Sequence, residues 1–248
     1  ETASEMFGET SNLLIRVSHP IKGRIASAKH KAAKDLLPEE TTLYYERMAW
    51  TINLPEHKFR VGDDELTLTV GGVKAFNQDN LYSTKYTPEN FKVFIGFQNK
   101  ICTNLCISTD GFVSNLKADM VEGLKLQVKQ LFSQFQMERT ANTFNSLNET
   151  ILEESEFAKL LGRARMYNAM PAHLKEGIPS LGVSDSQLSI VAEDYYADLN
   201  HGQYVDGSIS LWNMYNLFTG ANKTSYIDTI LDRNVTIFSS LKELNEAV

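Results

Sequence analysis

The sequence predicts an α+β fold, with an antiparallel sheet from the N-terminal half packed against helices from the C-terminal half. Three observations lead there. Apolar residues alternate with period two up to about residue 116 and recur with a period near 3.6 afterwards. Thr, Tyr, Ile, Val and Trp crowd the first half, whereas helix-capping patterns fall in the second. The 248 residues, 42% hydrophobic and 22% charged, are enough for a folded chain with a sizeable core. Strands followed by helices is the order of an α+β domain. The expected organisation is a basic N-terminal segment over 1–34 and a single α+β domain over 35–248. Within that domain, 35–116 is mainly strands and 117–248 mainly helices.

Thr41 to Leu54 reads as the first strand, stopped by Pro55, which has no N–H for a central ladder. Gly62-Asp63-Asp64 is a turn signal. Leu66, Leu68 and Val70 then alternate with Thr67 and Thr69 in a half-buried strand that breaks or bulges at Gly71-Gly72. The polar run 75–88 reads as a loop. Phe91, Val93, Ile95 and Phe97 mark another strand. Ile101 to Ile107 continues the alternation, and Asp110-Gly111 closes the β region. A helix begins near Asp119 and buries Val121, Leu124, Val128, Leu131, Phe132 and Phe135. Residues 142–154 read as a loop. A helix from Ser155 turns Phe157, Leu160, Leu161 and Ala164 inward. Ser184 with Gln187 is a capping box for a helix burying Leu188, Val191 and Tyr195. Ser210 caps the next helix, which Gly220 ends, and Thr224 opens the last.

Charge is unevenly spread. Residues 12–34 hold Arg16, Lys22, Arg24, Lys29, Lys31 and Lys34 and no acid, so a chain of net −7 carries −13 elsewhere. Such a segment repels itself and is expected to be solvated and extended or mobile until an anion joins it. His19 adds a further donor. The plainer account is a solvated arm balanced by acidic neighbours.

The sites with chemical potential all have plain alternatives. Cys102 and Cys106 are spaced C-x3-C, about 13 Å apart along a strand, and no histidine pair completes a zinc set. They read as buried, inert thiols. Asp228 and Asp232, at i and i+4, could hold a divalent cation, but beside Lys223 and Arg233 they read as a salt-bridged helix surface. The loop Thr219–Ser225, with Lys223, is a candidate anion cradle and equally an ordinary helix–helix turn. There is no G-x-S-x-G, P-loop or HExxH motif, so the case for an enzyme is weak and no metal or cofactor is expected. No apolar run is long enough to cross a membrane. Glu1–Phe7 lacks the features of a signal peptide. Two cysteines favour a reducing, cytoplasmic setting.

Five runs carry a resemblance: Arg16-Val-Ser-His-Pro-Ile-Lys-Gly-Arg24, Leu66 to Ala75, Phe94 to Cys106, Leu161-Gly-Arg-Ala-Arg-Met-Tyr167 and Leu211 to Asp228. Together they resemble an uncharacterised bacterial family, a domain of unknown function. That family is distantly similar to the phage/plasmid-like protein family, in which a Val-Cys-Thr-Asn type segment follows a strand. The resemblance spans about Arg16 to Phe238. It implies a cytoplasmic protein carried by phages, plasmids or integrated elements and is almost silent as to chemistry.

Two function classes follow. The first is a non-enzymatic nucleic-acid-binding protein, for single-stranded DNA above all. Its site would comprise Arg16, His19, Lys22, Arg24, Lys29, Lys31, Lys34, Arg163, Arg165 and Lys223. Lys74, Lys92 and Lys100 would line the same groove, and Tyr44, Trp50, Phe76 or Tyr82 would offer stacking faces. The second is an acidic interaction module that captures a basic host protein, such as a host-defence antagonist. A metal-dependent enzyme comes third.

Overall fold

The computed structural model describes residues 1–24, 26–28, 30–75, 87–178 and 180–247, with residues 16–24, 26, 33, 41–46, 227 and 247 described by their backbone. A short helix, α1 (Thr2–Phe7), precedes an antiparallel sheet. The sheet contains β1 (Leu14–Arg24), β2 (Thr41–Val61), β3 (Asp64–Ala75), β4 (Glu89–Asn99), β5 (Leu105–Cys106) and β6 (Phe112–Ala118). Its order is β1-β2-β3-β4-β5, with β6 also on β4. Helices follow: α2 (Val121–Gln134), α3 (Met137–Glu149), α4 (Glu154–Ala169), α5 (Asp185–Ala197), α6 (Leu211–Asn222) and α7 (Ile227–Ala247). A two-stranded ribbon of β7 (Ile151–Leu152) and β8 (Ile209–Ser210) ties the start of α4 to the start of α6. The α+β expectation holds.

The first half of the basic segment belongs to the sheet. Residues 14–24 form β1, paired antiparallel with β2 from Leu14 opposite Thr51 to Arg24 opposite Thr41. Pro55 does not end β2. The register slips between Leu54 and Lys58, and the strand resumes with Phe59 opposite Leu66. The slip reverses the strand's in–out phase, so Leu54 and Phe59 both turn toward the core. Gly71 and Gly72 do not break β3. A Cβ on Gly71 would lie 2.3 Å from the Trp50 carbonyl oxygen and 2.6 Å from the Phe94 ring. The glycines are there because β2 and the Phe94 ring approach too closely for a side chain.

The helical half corrects the sequence reading at several points. Residues 142–154 are largely helix, since α3 buries Thr140, Ala141, Phe144 and Leu147 behind a polar outer face. Met120, not Asp119, precedes α2, and β6 lies after Asp110-Gly111. The Ser184–Gln187 capping box and the Ser210 cap both form. Glu153 and Glu156 form a further box at the start of α4. Gly220 lies inside α6, which runs to Asn222, and α7 opens at Ile227, not Thr224. Residues 76–86, the core of the expected 75–88 loop, lie outside the described residues.

The main core joins the sheet to α3, α6 and α7 through rings. Phe144 lies 6.0 Å from Phe97, 5.2 Å from Trp212, 5.9 Å from Tyr215 and 5.5 Å from Phe238. A smaller cluster of Val73, Phe94, Ile107 and Leu231 seats α7 on the sheet. Gly71→Ala should lower unfolding stability by about 1–3 kcal/mol through overpacking. Gly123→Ala, on α2 with nothing within 4 Å, should be neutral or stabilising by up to about 1 kcal/mol. Paired chemical denaturation of the two variants checks this.

Candidate nucleic-acid interface

Residues directly opposite in a sheet share a face. Arg16 pairs with Ala49 and Ser18 with Arg47. Ala49 in turn pairs with Val73, and Val73 with Lys92. Positions 16, 22 and 24 of β1 therefore fall on the same face as Arg47 and Lys92. The face carries no acid on β1, nor on β2 from Thr41 to Asn53. Position 19 is out of phase with 16, 22 and 24 and falls on the opposite face of the strand.

The inner cations of this face are neutralised within the chain. Arg47, 6% exposed, donates from Nε to Asp228 Oδ1 at 2.7 Å. Lys92 reaches Asp232 Oδ2 at 2.6 Å and the Asp228 carbonyl at 2.7 Å. The Asp228–Asp232 pair is thus salt-bridged, but to the sheet and not to Lys223 and Arg233 as expected. Asp228 also stands in the first turn of α7, where the helix dipole favours a carboxylate. Tyr226, an exposed ring, covers the Arg47 guanidinium at 4.6 Å.

The other expected site residues scatter. Lys29 lies outside the described residues. Lys31 pairs with Glu40, and Lys34 is exposed on a 3-10 turn. Arg165 lies 3.6 Å from Asp185 Oδ2. Lys223 donates to the Cys102 carbonyl, which closes the α6–α7 junction onto the β4–β5 turn. Of the additional groove cations, Lys74 pairs with Glu89, and Lys100 lies 3.1 Å from Glu65 Oε1. Arg163 borders a separate cavity of about 660 Å³ between α4, α7 and residues 178–183, with Leu160, Leu181 and Leu244 on its walls. Among the described residues no other expected site residue lines it. Among the proposed stacking rings, Phe76 and Tyr82 lie outside the described residues. Trp50 is half-buried against Gly72.

The remaining candidates are structural. Burial pushes the Cys102 thiol up to about 11 and Cys106 well above its usual value, so neither offers a thiolate at neutral pH. Among the described residues no three His, Cys, Asp or Glu side chains gather as a metal site. The 219–225 segment, the end of α6 and the turn after it, is bonded into its own chain. Ser225 Oγ donates to Asn222 Oδ1 at 2.7 Å and accepts from Gln187 Nε2 and Arg233 Nη1 at 2.8 and 2.9 Å. Among the described residues no helix is long and apolar enough to cross a membrane.

A family model described as a domain of unknown function, B. theta gene description (DUF3871), matches residues 2–248. The chain belongs to the DUF3871 family. No curated protein and no solved structure matches it.

This DUF3871 chain also holds a buried polar centre that sequence reasoning missed. Asp64 Oδ2 accepts from His201 Nε2 at 2.9 Å and from Trp212 Nε1 at 2.7 Å, and all three residues are buried. The Gly62-Asp63-Asp64 turn signal hid the role of Asp64, and no motif marks His201. Burial alone would raise the Asp64 carboxyl. Hydrogen bonds and charge from His201, with hydrogen bonds from Trp212 and Asn99, more than offset this and hold it below its ordinary 3.8. A depressed carboxyl stabilises the fold above that ordinary value, and the contribution is lost as pH falls through the folded value. Asp64→Asn should therefore be about 1–3 kcal/mol less stable near neutrality. The deficit should close only below pH 3.8. Denaturation curves across pH check this, and an equal deficit at every pH would contradict it.

Proposed function

We propose that this DUF3871 protein is a non-enzymatic nucleic-acid-binding protein that lays a single strand, DNA above all, along β1. The observation that carries the reading is register. Arg16, Lys22 and Arg24 occupy in-phase positions on one sheet face, while Arg47 and Lys92 on that face are matched by Asp228 and Asp232. Cations an even number of positions apart on a strand, here six and two, present a line of charge that a phosphate backbone can follow, gaining entropy as counterions leave. The exposed Tyr226 ring beside this face offers a stacking surface for a splayed base.

The site is therefore narrower than the sequence suggested. It drops His19, Lys31, Arg163, Arg165 and Lys223, and centres on β1 with Tyr226 at its border. The plainer account is that Arg16, Lys22, Arg24 and Pro20 guard an edge strand against pairing with other sheets. That account does not explain why the charges share one face. A cytoplasmic role on a mobile element, as the likeness to phage/plasmid-like proteins implies, is part of the same proposal.

Fluorescence anisotropy with a labelled single-stranded oligonucleotide tests it. Binding should weaken steeply with salt. Arg16→Glu, Lys22→Glu and Arg24→Glu together should abolish it, and each cation neutralised singly should reduce the salt slope by about one. Tyr226→Ala should cost about 1–3 kcal/mol with the salt slope unchanged. Absence of binding at low salt would end the proposal.

A further inference from the structure

Residues 198–208 form a loop that is rigid and yet presents apolar side chains to water. Asp198 Oδ1 accepts from the amides of Asn200 and His201 at 2.8 and 3.0 Å. The Gln203 amide donates to the Tyr195 carbonyl, and the Tyr204 amide to the Ser208 carbonyl, both at 2.8 Å. His201 anchors the loop on buried Asp64. From this frame and the adjoining end of α5, Tyr196 at 65%, Leu199 at 100% and Val205 at 110% exposure project outward. Burying them elsewhere would cost little ordering entropy, because the loop is already fixed.

The charge carried by the loop and the end of α5 has one sign. Residues 193–206 contain four acids, Glu193, Asp194, Asp198 and Asp206, and no Lys or Arg. Partial burial and the charges of Asp198 and Glu193 together raise the Asp194 carboxyl, so these acids repel one another. The opposite composition stands at the other end of the chain. Residues 13–24 carry three cations, Arg16, Lys22 and Arg24, and no acid, and they begin with exposed Leu13, Leu14 and Ile15. Each surface sets exposed aliphatics beside charge of a single sign, and the two signs are complementary.

We infer that the chain associates head to tail with further copies of itself, the 196–205 surface of one copy seating on the Leu13–Arg24 segment of the next. Symmetric pairing of two β1 strands is disfavoured. An antiparallel pair centred on His19 would set Arg16 opposite Lys22 on both sides, like charge against like. A contact between two different patches is heterologous, so it extends into open chains or closes into rings. The inference does not rest on the nucleic-acid reading. Both draw on the cations of β1, so an oligonucleotide and a neighbouring copy would compete for them.

Sedimentation velocity of the full chain tests it, at low salt and up to about 100 μM, the range of weak contacts. The average mass should exceed 28.0 kDa, grow with concentration and return toward the monomer in about 0.5 M salt. Leu199→Asp/Val205→Asp and Arg16→Glu/Lys22→Glu should each be monomeric alone. An equimolar mixture should form a one-to-one dimer, because each variant keeps the patch the other lacks. Circular dichroism and melting establish that both variants fold. A monomeric wild type at low salt, variants that still associate alone, or a mixture that stays monomeric would each overturn the inference. So would a monomer that binds only an unrelated basic protein. The monomeric Leu199→Asp/Val205→Asp protein also allows oligonucleotide binding to be measured separately from assembly.

Discussion

The buried carboxylate of Asp64 is the constraint on which the arrangement of the two halves depends. It sits where the β2–β3 hairpin turns, and two of its donors come from a loop and a helix more than a hundred residues later. A charge this deep is costly unless it is fully bonded, so the hairpin, the 198–208 loop and α6 are stable only together. The ring cluster around Phe144 supplies the apolar area of the same junction, but area alone does not fix orientation. The Asp64 bonds do, and they hold the loop that carries Leu199 and Val205 in one position.

Much of the remaining charge is settled within the chain. Arg47, Lys74, Lys92 and Lys100 each meet a carboxylate of their own chain, and Lys223 is spent on a backbone carbonyl. A count of basic residues therefore overstates the charge available to an outside polyanion. What distinguishes β1 is phase. In the sequence the segment is a cluster of cations, and pairing with β2 gives positions 16, 22 and 24 one phase and position 19 the other.

The fold class was legible because period and capping are local. Ser184 with Gln187 and Ser210 with Asn213 act within a single helical turn, so their patterns survive in the sequence. The failures lay where distant residues decide. Pro55 reads as a strand end unless the slip opposite Thr67 is known, and the glycines at 71 and 72 read as a bulge unless the Trp50 carbonyl and Phe94 ring are in place. The polar outer face of α3 masked its buried stripe. At the candidate site the sequence held the cations but not their partners. The pairing of Lys92 with Asp232 spans 140 residues, and no local pattern announces it.

The chain has two tryptophans, and the fold places them in different surroundings. Trp212 is sealed beside Asp64 in the ring cluster, whereas Trp50 is half-buried, directly opposite Ile15 of β1. Their emission should separate into a core signal and an edge-strand signal. Removing either indole would leave the protein with an intrinsic optical reporter of a single region, so events at β1 could be followed without attaching a dye.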